Sequence, residues 1–369
     1  MGKMRWIGRL LLALLPLTLW GCRSSPTSLI LDIPPLVTVP IQYAQIEDGR
    51  GRFREIYCAL QKDHGARLPH NRDCEEIILR LGGEPPPAEK PLELRDARLP
   101  LQIFIVPGLF GECVSALSQA FSYSAKHIET LGYRVETIKV SGRHGSTHNA
   151  AQIREALLAR GTPREGKVVL IGYSKGAADI LESLVEYPEI RERVAAVVSV
   201  AGVIGGTPAA EILSKPLQLL AEHFPVPGCE PGDGLALQSL TRTHRQRWLA
   251  RHPLPKSIRY FSIGAITDRE GTSALLRSSY DDLAVIDSRN DSQVIFSDTI
   301  IPGGTLLGFV KGDHWAIAMP FSQDLPFIAA TLIDRNPFPR EILLEAVVRF
   351  VEERLLADME KSGKDSSRP

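Results

Sequence analysis

The chain has 369 residues, of which 44% are hydrophobic, and it carries 43 basic and 43 acidic side chains. A chain of this length and composition can bury a full hydrophobic core, either as one large domain or as one domain with a small appendage. The charge is balanced and no basic stripe alternates with aromatic residues, which argues against a nucleic-acid partner.

The first 21 residues have the pattern of a secretion signal. A basic start precedes an apolar run at residues 10–20 that is too short to span a bilayer. The run ends in Leu19-Trp20-Gly21-Cys22, which resembles the lipobox of bacterial lipoproteins. The resemblance implies lipidation of Cys22 and a membrane anchor. Arg23 after the cysteine implies sorting to the outer membrane, facing the periplasm. An ordinary signal peptide cleaved nearby is the alternative.

Residues 22–50 contain Ser and Pro with little helical periodicity, which predicts a tether. Residues 51–99 are expected to form an N-terminal segment before the main domain. The four cysteines after the signal form an even set, which predicts two disulfides in an exported chain. Of three possible connectivities we favour Cys58–Cys74 and Cys113–Cys229. No pair has Cys-x-x-Cys spacing, so we predict no metal and no cofactor.

The main domain is predicted to cover residues 100–358, with a cap insertion at 204–256 and a polar tail at 359–369. Apolar strands alternate with helical patterns, which predicts a parallel sheet with helices on both faces. The predicted strands are residues 101–106, 133–140, 168–171, 194–201, 258–266 and 305–310, and the clearest predicted helices are 149–160 and 340–356.

The strand at 168–171 runs into Gly172-Tyr173-Ser174-Lys175-Gly176 and then into a helical pattern. Glycines two residues either side of Ser174 let the serine occupy a strained turn. This arrangement resembles the nucleophile elbow of α/β-hydrolases, and the chain resembles secreted bacterial lipases and esterases within that family. The resemblance implies an α/β-hydrolase fold with six or more strands, a helical cap and Ser174 as nucleophile. A serine that merely caps the helix is the alternative.

Two further segments carry the resemblance. Pro107-Gly108-Leu109 stands where these lipases have His-Gly-x, and residues 205–210 are similar to the segment that leads into the lipase lid. The resemblance implies that the backbone N–H groups of Leu109 and Lys175 form the oxyanion hole.

The partners of Ser174 follow in the order acid, then histidine, in this fold. If the acid lies beyond residue 266, His314 is the one histidine that remains, and it comes directly after the last predicted strand. Asn290-Asp291-Ser292-Gln293-Val294 is similar to the Asn-Asp-Gly-x-Val acid motif of bacterial lipases, which favours Asp291. Asp298 is the main rival, and Asp268 and Asp313 are weaker candidates.

These residues together predict a serine hydrolase that cleaves a carboxylic ester through an acyl-enzyme. The expected partners are a small-molecule or lipid ester and, through the anchor, a membrane. An acyltransferase, a thioesterase and a polyester depolymerase fit the same residues. An inactive, membrane-tethered binding protein is the alternative from another functional class.

Overall fold

The computed structural model describes residues 45–92, 94, 96–159, 161–163, 167–212 and 229–365. The predicted signal, Cys22 and most of the tether lie outside these residues. None of the helices in the described part combines the length and the apolar character that a bilayer crossing requires.

Seven parallel strands form one sheet, in the order β1-β7-β6-β5-β4-β2-β3. This confirms the predicted parallel sheet. The strands are β1 Glu47–Asp48, β2 Gln102–Val106, β3 Arg134–Thr137, β4 Val168–Tyr173, β5 Val194–Val200, β6 Arg259–Ile266 and β7 Thr305–Lys311.

Helices cover both faces of the sheet. They are α1 Arg50–His64, α2 Cys74–Ile77, α3 Gly111–Val114, α4 Ser122–Glu129, α5 Ser146–Leu158, α6 Lys175–Glu186, α7 Ala209–Ile212, α8 Arg242–Arg251, α9 Arg277–Ala284, α10 Phe321–Asp324, α11 Pro326–Thr331 and α12 Arg340–Asp365. Short 3-10 turns are found at Gly65–Arg67, Pro188–Arg193, Gln238–Leu240, Ala274–Leu276 and Phe296–Thr299.

The central strand β4 is buried on both sides, and its side chains alternate between two hydrophobic clusters. Val169 and Ile171 pack into the cluster that also contains residues of α1, α4 and α12, whereas Val168 and Leu170 pack against α5 and α6. Alternation with a period of two is what a strand covered on both faces produces. The four-residue apolar run of the sequence therefore has its origin in the double burial of β4.

The N-terminal segment is part of this core. Helix α1 places Phe53 against Phe350 of α12, with ring centroids 6.3 Å apart, and Arg52 forms an ion pair with Glu353 at 2.7 Å. The fold also begins before residue 50, because β1 pairs with β7 at the edge of the sheet. At the other end, α12 continues to Asp365, beyond the expected boundary at residue 358.

The cap insertion is described in two parts, up to residue 212 and from residue 229. Helices α7 and α8 lie within these parts. Residues 213–228 of the predicted cap lie outside the described residues.

Candidate active site

Ser174 lies between β4 and α6, at φ 55° and ψ −124°. A non-glycine residue at positive φ is strained, and such strain is typical of a nucleophile elbow. The turn is also tight: a Cβ atom added to Gly176 would lie 2.2 Å from the carbonyl oxygen of Val106 on β2. Glycine at this position therefore lets α6 start close to the neighbouring strand.

His314 follows β7, and its Nε2 atom lies 2.9 Å from Oγ of Ser174. The imidazole also stacks on the ring of Tyr173, with centroids 5.2 Å apart. The Tyr173 hydroxyl donates to the backbone carbonyl of His314 at 2.8 Å. Burial, with a smaller contribution from the charge of Asp291, raises the pKa of Tyr173 well above its usual value, so this hydroxyl stays a donor.

Asp291 is fully buried, and its Oδ2 atom lies 2.8 Å from Nδ1 of His314. Its other carboxylate oxygen accepts the backbone N–H groups of Gln293 at 2.9 Å and Val294 at 2.7 Å. The carboxylate is thus held by its own turn, and it fixes the imidazole with the proton on Nδ1. Nε2 is then free to accept the hydroxyl proton of Ser174.

The rival aspartates make other contacts. Asp298 forms a buried ion pair with Arg242 at 3.1 Å, and burial raises the pKa of Asp298 to about 6 even though Arg242 lowers it. Asp313 accepts the backbone N–H of Ser273 at 2.8 Å, and Asp268 is exposed on its own turn. Of these aspartates, Asp291 is the one that the structure brings to the imidazole.

The two backbone groups expected at the oxyanion hole flank Ser174. A Cβ atom added to Gly108 would lie 2.7 Å from Cβ of Ser174, so the loop of Leu109 passes directly over the serine. Lys175 begins α6, and its buried ammonium group binds Asp179 at 2.7 Å, so its side-chain charge is neutralised away from the serine. Among the described residues, the N–H groups of Leu109 and Lys175 have no hydrogen-bond acceptor.

A cavity of about 910 Å³ opens at Ser174 and His314. Pockets for small organic ligands commonly have volumes of roughly 300–1,000 Å³. The apolar residues around the cavity include Leu109, Val114, Val203, Leu240, Met319 and Phe321.

Both expected cysteine pairs are disulfide-bonded in the structure. Cys58 of α1 is joined to Cys74 of α2. Cys113 of α3 is joined to Cys229 of the cap insertion, across 116 residues of sequence. Because Glu112 and Val114 line the cavity, the second disulfide attaches the cap beside it.

Sequence reasoning missed several residues of the site. Tyr173 was treated only as part of the elbow motif, although an aromatic residue next to the serine was a visible signal. Arg242, which neutralises Asp298, belongs to a basic helix that resembles an ordinary exposed surface in sequence. Met319 lines the cavity from the loop after His314 and Phe321 from the start of α10, where no motif marked them.

Among proteins of known structure, one carboxyl esterase is similar to this chain in both sequence and fold. No protein-family model and no curated protein sequence matches the chain. The crystal structure of a metagenomic carboxyl esterase matches with 46% identity and a TM-score of 0.84, over 89% of this chain and 99% of that one. The Staphylococcus hyicus lipase shares the fold, with 12% identity and a TM-score of 0.52, over 72% of this chain and 99% of that one. The chain therefore belongs to the α/β-hydrolase family of carboxyl esterases and lipases.

Proposed function

We propose that the protein hydrolyses carboxylic esters with Ser174 as nucleophile, His314 as general base and Asp291 as the acid that orients the base. The observation that carries the proposal is the continuous hydrogen-bonded chain from Ser174 Oγ through His314 to Asp291, with distances of 2.9 and 2.8 Å. All three side chains are buried, so these interactions are little weakened by water.

In the first half of the reaction, Ser174 Oγ forms a bond to the ester carbonyl carbon while His314 Nε2 takes the hydroxyl proton. The carbonyl π electrons move to oxygen, and the N–H groups of Leu109 and Lys175 are the proposed donors to this oxyanion. When the tetrahedral intermediate collapses, the bond to the leaving alcohol breaks and the imidazolium gives the alcohol its proton. Asp291 stabilises the imidazolium in between.

In the second half, water attacks the acyl-enzyme and His314 takes a proton from it. The second tetrahedral intermediate releases the carboxylic acid, and the proton returns to Ser174 Oγ. Apolar side chains dominate the cavity wall named above, which favours esters with an apolar acyl or alcohol group. The similarity to a protein described as a carboxyl esterase supports the same bond class for this chain.

The test is labelling with a fluorescent fluorophosphonate, which reacts with activated serines. The wild-type chain should be labelled and Ser174→Ala should not, while a series of p-nitrophenyl esters reports the preferred acyl length. With an added alcohol present, the amount of free carboxylic acid formed is compared with the amount of new ester formed. This ratio separates hydrolysis from the acyltransferase alternative. Labelling of Ser174→Ala at the wild-type level would contradict the assignment of the nucleophile.

We further propose that the chain is exported and anchored by acylation of Cys22, on the basis of the basic, apolar start and Leu19-Trp20-Gly21-Cys22. The expected location is a bacterial membrane, with the enzyme facing the periplasm. Mass spectrometry of the N-terminus of the cell-derived protein tests this. An unmodified N-terminal peptide that starts at a residue other than Cys22 would refute the anchor.

A further inference from the structure

Two histidines and a glutamate from three separate helices meet away from the catalytic residues. His64 is the last residue of α1, His127 lies on α4 and Glu345 lies on α12. The Nε2 atoms of His64 and His127 lie 2.8 and 2.7 Å from the same atom, Oε2 of Glu345. None of the three residues lines the cavity at Ser174.

A second carboxylate fixes the orientation of one of these rings. Asp63 Oδ2 lies 3.0 Å from Nδ1 of His64, so the Nδ1 proton is donated to Asp63. A neutral His64 then presents the lone pair of Nε2 to the oxygen of Glu345. A metal cation between the two atoms would bind both lone pairs.

One cation can bind all three atoms, because Oε2 of Glu345 faces Nε2 of both rings. The two rings stand side by side, with ring centroids 5.9 Å apart. Arg349 already occupies Oε1 of Glu345 at 2.7 Å. A dication bound to Nε2 of both rings would have part of its charge offset by the Glu345 carboxylate.

We propose that His64 Nε2, His127 Nε2 and Glu345 Oε2 bind one transition-metal dication of the Zn²⁺ class. Imidazole nitrogen and carboxylate oxygen suit Zn²⁺, and a carboxylate on the second ring nitrogen, as Asp63 provides, is the usual outer partner of a zinc-binding histidine. The side chains of His64 and His127 are 13% and 15% exposed, so water can supply a fourth ligand.

The spacing of the three atoms is compatible with this ion after a small movement. All three ligand atoms lie within 4.8 Å of one another. A tetrahedral zinc ion with bonds of about 2.0–2.2 Å separates its ligands by roughly 3.3–3.5 Å. The two rings, which are partly exposed, need to move outward from the fixed carboxylate by about half an ångström.

The site joins the three helices that cover one face of the sheet. The cysteine spacing on which we predicted no metal could not reveal it, because residues 64, 127 and 345 form no short motif. The bound ion would stabilise the docking of the N-terminal segment on α4 and α12, and it would leave the cavity residues untouched.

The experiment is zinc binding to the full-length chain without a polyhistidine tag. The protein is stripped with a chelator, titrated with Zn²⁺ and followed by metal analysis and thermal unfolding. We expect about one bound ion per chain and a melting temperature that rises by a few degrees with Zn²⁺ but not with Mg²⁺. Co²⁺ bound in its place should give the visible absorption of a tetrahedral site.

His64→Gln and His127→Gln should each abolish the zinc-dependent rise in melting temperature, and Asp63→Asn should weaken binding by about 10- to 100-fold. His244→Gln removes an exposed histidine on α8 and should bind zinc as the wild type does. Circular dichroism confirms that each variant is folded at the titration temperature. The proposal is overturned if the wild type shows no saturable binding, or if the two histidine variants keep it.

Discussion

His314 and Asp291 are joined twice, once through their side chains at 2.8 Å and once through a backbone hydrogen bond of 2.7 Å from His314 N–H to the Asp291 carbonyl. The backbone hydrogen bond attaches the loop after β7 to the turn that contains Asp291. The geometry of the imidazole therefore depends on the two loops as well as on the carboxylate.

Asp291→Asn should lower turnover by about 10⁴-fold while the protein stays folded, because an amide holds the imidazole in the wrong tautomer and cannot stabilise its charged form. Turnover of a chromogenic ester and the melting temperature check this together. Asp298→Asn is the matched control, since Asp298 binds Arg242 and should cost far less activity. The reverse ranking, in folded variants, would move the acid to Asp298.

Asp298 should make stability depend on pH. Its pKa is raised from 3.8 to about 6 in the folded protein, chiefly by burial, so between these values the folded state holds a proton that the unfolded state has lost. Stability from this group is fully present below pH 4 and is lost as pH rises through 6. Relative to Asp298→Asn, the wild type should lose up to about 3 kcal/mol of unfolding free energy from pH 4 to pH 7.

Urea unfolding of both proteins at several pH values measures this difference. The variant is the reference because its amide does not titrate, so the pH dependence of the difference between the two proteins comes from Asp298 alone. A difference between the two proteins that stays constant from pH 4 to pH 7 would show that Asp298 does not titrate in this way.

Tyr173→Phe should reduce turnover on the order of fivefold and lower the melting temperature slightly, because the His314 carbonyl loses a hydrogen bond worth about 1 kcal/mol. The ring that stacks on the imidazole remains. Tyr57→Phe is the control, since the buried Tyr57 hydroxyl has no hydrogen-bond partner among the described residues. Equal effects of the two substitutions on turnover would argue against a positioning role for the Tyr173 hydroxyl.

Removal of the first disulfide should affect stability alone, whereas removal of the second should affect both stability and turnover. Replacing Cys58 and Cys74 by Ser should cost about 3 kcal/mol of stability without changing turnover in the folded protein. Replacing Cys113 and Cys229 opens a loop of 116 residues and should cost about 4.7 kcal/mol in the same chain-entropy description. Because this bond attaches the cap beside the cavity, ester turnover should fall as well. Melting curves and ester kinetics on both double variants test the contrast.

The predicted elements were most accurate where one physical cause decides the pattern. Strand β4 is buried on both faces, and only apolar side chains suit that environment, so its four-residue run was visible in sequence. Strand β1 was missed because it has two polar residues at the edge of the sheet and contributes no hydrophobic pattern. Its pairing with β7 depends on residues about 260 positions away, beyond any local signal.

The residues of the candidate site also differ in how well the sequence predicts them. Ser174 and His314 could be proposed from a strained turn and from chain order, which are local or topological features. Asp291 and Asp298 could be ranked only by motif likeness, because both are aspartates in turns before β7. The two aspartates differ in their partners, because Asp298 pairs with Arg242 of α8. This ion pair forms because the cap insertion packs against the turn of Asp298. Packing between distant segments is the information that a single sequence lacks.

The pairing of β1 with β7 has a consequence for the order in which the chain can fold. Strand β1 and helix α1 dock on β7 and α12, which are synthesised much later, and until then Phe53 lacks its partner Phe350. Contacts between such distant residues form slowly, and the edge of the sheet at β1 closes only after β7 has been synthesised. A chain that stops before residue 305 should therefore expose its first helix to proteases.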